Sequence, residues 1–135
     1  MNRSDAFVPK AQWERRVAIT RFIYADLMLN NPVDEIIKSS NTNYTFDDDQ
    51  LKIVNYYSQN RSNIVKQLTK NLGKNWTWVR IPQVEKAILI TAICEFNVNH
   101  LDRKIIIDQA LVSTKHYANP NSAKYINAIL DKVLK

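Results

Sequence analysis

Apolar residues recur along this chain at spacings of three and four, the period of a helix with one buried face. Residues 11–30 read as the first helix, with Val17, Tyr24, Leu27 and Met28 on one stripe and Ala18, Phe22 and Ala25 beside it. Asn30-Asn31-Pro32 ends it, because the residue before a proline is pushed out of helical geometry. A short helix is expected over 33–39, with Asp34 and Glu35 in its first turn, where the helix dipole favours acids. After a polar break at 40–45, Asp47-Asp48-Asp49 opens a third helix reaching about residue 59 and carrying Leu51, Val54 and Tyr57. A triple aspartate can suggest a cation site. No calcium-loop spacing or glycine turn follows it, so an N-cap and dipole role is the stronger reading. Ile64, Val65, Leu68 and Leu72 mark a fourth helix that stops near Gly73.

The second half is patterned more sharply. Trp76 and Trp78 lie in a connecting segment, where they either offer a base-stacking platform or anchor the loop in the core; anchoring is the stronger reading. Pro82 sits in the first turn of a helix running to about residue 97. That helix is apolar nearly all round from Ala87 to Phe96, which predicts a central element packed on several sides. Asp102 caps a helix over 102–116. Asn119-Pro120-Asn121-Ser122 forms a turn and N-cap, and a last helix over 122–134 carries Tyr125, Ile126, Ile129, Leu130 and Val133. The expectation is one all-α domain over 1–135, with about seven helices and no convincing strand.

Composition agrees with this. The single glycine, Gly73, disfavours multi-hairpin β folds, dinucleotide fingerprints and phosphate-binding loops, which lean on glycine. The lone cysteine, Cys94, cannot form an internal disulfide and lies in an apolar run, so it reads as a buried, inert thiol. The first ten residues lack a signal peptide's apolar stretch, and no run approaches the roughly 18–20 apolar residues of a membrane span. A cytoplasmic protein is expected. His100 and His116 have no ligands at metal-binding spacing, and no nucleophile–base signature is visible. No cofactor and no enzymatic activity are expected.

Nineteen Lys and Arg against thirteen Asp and Glu leave a net charge of +6, which favours a polyanionic partner. Lys10, Arg15, Arg16 and Arg21 concentrate positive charge on the first helix; Arg15 and Arg16 are about 100° apart around it, so both cannot face the core. A second basic and polar group contains Lys115, His116, Tyr117, Asn119, Asn121, Lys124 and Tyr125. Arginines hold phosphates, exposed aromatics stack on bases and asparagine amides read base edges. If both groups share a face, it suits single-stranded RNA. Taken alone, solvated surface and a core role for Tyr125 are the stronger readings.

Four strings in order shift that balance. Gln83-Val84-Glu85-Lys86-Ala87-Ile88-Leu89, with Ala92 and Glu95-Phe96, resembles the "verailrlalyEl" helix of the NusB family. Ile107-Asp108-Gln109-Ala110 is similar to its "aInEa", and the run from Ser122 to Lys132 to its "s.kFvNgvLdk". Arg16, Ala18 and Phe22-Ile23-Tyr24 resemble "RR.ar..alq.lY", and Trp76 stands where the family often has tryptophan. The likeness spans essentially the whole chain, strongly over 76–133 and loosely over 30–75.

The resemblance implies two packed helical bundles and a transcription antitermination factor. Such a factor pairs with the small ribosomal subunit protein NusE, binds boxA RNA, and acts with RNA polymerase to promote read-through and ribosomal RNA synthesis. It maps RNA binding onto Arg15, Arg16 and residues 117–125, and the NusE-facing side onto Tyr24 and Glu85. It leaves open a homodimer that would hide the RNA face. Departures are Trp13 and Glu14 at usually basic positions, Ile90 and Cys94 for an arginine and a tyrosine, Asp108-Gln109 for the asparagine and glutamate, and Asn127-Ala128 for Asn-Gly. Fewer arginines imply fewer phosphate contacts. Two other readings remain: the RNA-binding portion of a ribosomal RNA cytosine methyltransferase, for whose catalytic domain 135 residues leave no room, and a helical interaction protein that has lost RNA.

Overall fold

The computed structural model describes residues 3–29 and 46–135, with side chains from Trp13 to Met28 and from Phe46 onward. Among these residues there are five α-helices: α1 Arg3–Leu29, α2 Asp48–Lys70, α3 Gln83–Asn99, α4 Arg103–Tyr117 and α5 Ala123–Val133. Single 3₁₀ turns, Trp78–Arg80 and Pro120–Ser122, precede α3 and α5. The expected helix over 33–39 and the break at 40–45 lie outside the described residues.

The organising element is α3. Every residue from Glu85 to Glu95 is buried, as its all-round apolar pattern predicts. The other four helices pack around it, α1 and α2 forming one group and α4 and α5 the other. The all-α expectation holds. No helix of the described residues is long and apolar enough to cross a membrane. Cys94 is fully buried, and burial pushes its thiol pKa up.

Local chemistry starts the helices where the sequence suggests. Asp47 accepts from the Gln50 N–H at 2.9 Å, and the Gln50 side chain accepts from the Asp47 N–H at 3.0 Å, a reciprocal capping box. Asp102 caps α4 by accepting from the Lys104 N–H, and Asn119 caps the turn before α5 by accepting from the Asn121 N–H.

Two expectations are corrected. The separate helices over 47–59 and 64–72 are one, α2, which continues through the polar stretch Asn60-Arg61-Ser62-Asn63. The buried residues of α1 are Val17, Ile19, Phe22, Ile23 and Asp26, so the expected Val17 and Phe22 hold, whereas Tyr24 and Met28 are exposed. One buried cluster underlies both differences. Tyr57 donates to Asp26 Oδ2 at 2.5 Å, Arg61 Nη2 lies 3.0 Å from the same oxygen, and the guanidinium sits 5.2 Å from the Tyr57 ring centroid. A charged residue thus stands on the inward face of each helix and interrupts the apolar period. As expected, α2 stops near Gly73: it ends at Lys70, and the glycine does not have positive φ. The left-handed position is His100, which caps α3 at φ 54°.

Candidate nucleic-acid interface

Two arginines of α1, Arg15 and Arg16, are held by acids. α1 runs antiparallel to α3, so four residues forward on one helix meet four residues back on the other. Thr20 Oγ1 donates to Thr91 Oγ1 at 2.9 Å, and Arg16 Nε reaches both Glu95 oxygens, at 2.7 and 2.6 Å. Arg16 and Glu95 side chains are 13% and 8% exposed, so this is an internal ion pair. Arg15 points the other way and pairs with Asp47 at the start of α2, in a contact open to solvent. The Gln50 N–H, and then Arg15, hold the Asp47 carboxyl below the usual carboxylate range. A cavity of about 300 Å³ lies between the two pairs, lined by Arg15, Arg16, Gln50, Glu95 and Asn99.

Farther along α1, Arg21 is exposed and in no ion pair among the described residues. It shares a groove of about 100 Å³ with Val17, Tyr24, Val84, Ile88 and Tyr117. Trp13 brings the end of α4 to α1: its indole N–H donates to Ser113 Oγ at 3.2 Å, and its ring stacks on Tyr117 with centroids 6.0 Å apart and planes at 20°. Tyr117 remains 46% exposed. The first-helix group and the C-terminal group therefore meet at Trp13, a residue that sequence reasoning recorded only as a departure from a basic position.

The remaining candidates divide. Asn121 and Lys124 are exposed, and Asn119 spends its carbonyl on the turn. Tyr125 is half-buried against the core and its hydroxyl is enclosed without a hydrogen-bond partner. Its ring stacks on Trp76, centroids 4.7 Å apart and planes at 19°. Glu85 is buried, not surface-facing; its Oε2 accepts from Ser122 Oγ at 2.8 Å, tying the turn before α5 to the start of α3. Tyr24 is exposed. The side chain of Lys10 lies outside the described residues. The tryptophan pair also separates: Trp78 packs on the core with Lys86 Nζ 4.9 Å from its ring centroid, while Trp76 is 41% exposed. Loop anchoring thus applies to Trp78 alone. Among the described residues, no three His, Cys, Asp or Glu side chains are grouped to hold a metal ion.

The NusB family model matches residues 14–135 of this chain. The chain belongs to the NusB family. It is similar to the transcription antitermination protein NusB of Aliarcobacter butzleri, 35% identical over 103 residues, covering 76% of this chain and 78% of that protein. The protein of the same name from Sulfurimonas denitrificans is 27% identical over 126 residues, covering 90% and 95%. Among solved structures, T. maritima NusB superposes with a TM-score of 0.77 at 23% identity, over 90% of this chain and 89% of that one. A Mycoplasma genitalium protein described as structurally homologous to NusB proteins gives 0.68 at 26% identity, over 91% and 98%. This NusB family member thus keeps the fold while committing Arg15 and Arg16 to acids of its own.

Proposed function

We propose that the protein is a transcription antitermination factor that binds boxA-type single-stranded RNA together with the ribosomal protein NusE. The observation that carries this reading is the family match over residues 14–135, with relatives named as transcription antitermination proteins. The exposed chemistry supports it. Arg21, Lys124 and, once freed from Asp47, Arg15 supply phosphate contacts; Tyr117 supplies a stacking ring and Asn121 an amide. Arg16 acts from behind, holding α1 on α3 through Glu95. On the partner side, Tyr24 offers an exposed ring beside the apolar groove, and Glu85 positions the turn through Ser122. No residue is assigned a catalytic role.

The test is binding of labelled boxA-type RNA and a scrambled control, with and without purified NusE. Tighter, boxA-selective binding with NusE is expected, and Tyr24→Ala should weaken the NusE effect without changing the melting temperature. Equal weak binding to both RNAs, unaffected by NusE, would overturn the reading. That outcome would favour an interaction domain without RNA, a reading supported by the pairing of Arg15 and Arg16 with acids, the second of them internal.

A further inference from the structure

Among the described residues, cations outside ion pairs include Arg21 on α1 and a larger set on two other segments. Ion pairs occupy Arg15, Arg16, Arg61 and Arg103, the last with Asp131. Residues 62–84 carry Lys66, Lys70, Lys74 and Arg80 and no acid, and residues 109–130 carry Lys115 and Lys124 and no acid. None of these six cations is in an ion pair among the described residues, and the nearest acid in sequence beyond residue 84, Glu85, is buried on Ser122. The two acid-free segments meet where Trp76 stacks on Tyr125.

Trp76 is held there but not packed inward. Its backbone N–H donates to the Gly73 carbonyl at 3.1 Å, and a Cβ at Gly73 would lie 3.6 Å from its Cδ1, so the glycine backs the indole edge. One indole face lies on the Tyr125 ring, and the side chain remains 41% exposed. An indole fixed flat against a half-buried ring is ordered before any ligand arrives. A base stacking on it loses little side-chain entropy in the protein. Lys74 and Arg80 flank it along the loop, and Lys124 adjoins Tyr125. Flat aromatic surface on two acid-free segments that carry unpaired cations matches a ligand with planar bases on a phosphate chain.

We propose that Trp76 is a base-stacking site for single-stranded RNA, with Lys74, Arg80 and Lys124 holding the adjoining phosphates. It rests on the RNA-binding reading above and adds phosphate contacts from the loop before α3 to those of α1. The experiment is anisotropy titration of labelled boxA-type RNA with the full chain in the presence of NusE, alongside intrinsic tryptophan emission and a thermal melt of each variant. Trp76→Ala should weaken binding by roughly 5- to 150-fold, the range for one lost base stack. Trp76→Phe should retain most of the affinity but lose the RNA-dependent quenching. Replacing Lys74 and Arg80 together by Ala should flatten the slope of log K against log salt by about 1.4, which is ~0.7 per contact. If wild type binds RNA and both Trp76 variants bind equally well, the site is overturned while the RNA reading stands. If Trp76→Ala loses NusE binding but not RNA, the ring faces protein and the proposal falls. If wild type binds no RNA, both fall.

Discussion

Replacing Arg16 by alanine should damage folding before it reports on RNA. The Arg16 and Glu95 side chains are 13% and 8% exposed, with Nε between both carboxylate oxygens. Removing the guanidinium leaves Glu95 buried on α3 with its counter-charge gone, which costs about 3–5 kcal/mol in comparable sites. A domain of this size holds only about 5–15 kcal/mol in total. The melting temperature should therefore fall by roughly 10–20 °C. Replacing both partners by apolar residues, Arg16→Met with Glu95→Leu, removes the orphaned charge as well as the pair, so the double variant should lie close to wild type. Urea unfolding of wild type, both single variants and the double variant measures the coupling. A loss below about 1 kcal/mol for Arg16→Ala, or two single losses that simply add, would refute the argument. Loss of RNA binding in Arg16 variants is thus uninterpretable without the melt. Arg15→Ala is the cleaner probe, because its pair with Asp47 is open to solvent and such pairs contribute about 0–1 kcal/mol.

Tyr57→Phe removes the hydroxyl that donates to buried Asp26, and unfolding stability should drop by about 1.5–3 kcal/mol; an unchanged midpoint would show the bond contributes nothing. Asp47→Asn keeps an N-cap side chain but frees Arg15, so the RNA salt slope should steepen by about 0.7, and an unchanged slope would exclude Arg15 from the site. Because the Asp47 carboxyl is held below its ordinary value of 3.8, its contribution is present above that pH and disappears as pH falls through the lowered value. A melt series in acid should show this loss in wild type and not in Asp47→Asn. Gly73→Ala should be neutral or stabilising by about 0.4–1 kcal/mol, since φ is not positive and the new methyl meets only ordinary contact. His100→Gly should stabilise by about 1 kcal/mol by relieving a left-handed residue, and a lower melting temperature in either variant would contradict the backbone argument.

Apolar period and end signals are local properties, and by themselves they determined most of this architecture. The all-round apolar run from Ala87 to Phe96 identifies the central helix. Asp47, Asp102 and Asn119 mark starts because a side-chain oxygen there accepts from a backbone N–H that has no partner within its own helix or turn. The family was also legible, through four spaced strings. What only the tertiary structure decided is which polar residues turn inward, because that depends on a partner distant in sequence. Asp26 turns inward because buried Tyr57 and half-buried Arg61 satisfy its carboxylate, and for that reason neither the full stripe of α1 nor the continuity of α2 is legible in the apolar period. Arg16 reads in sequence as a free cation and becomes an internal one through Glu95, seventy-nine residues away. Trp76 and Trp78 are alike in sequence. One is exposed on Tyr125 and the other packed on the core, because burial of an aromatic ring is settled by the helices that close around it.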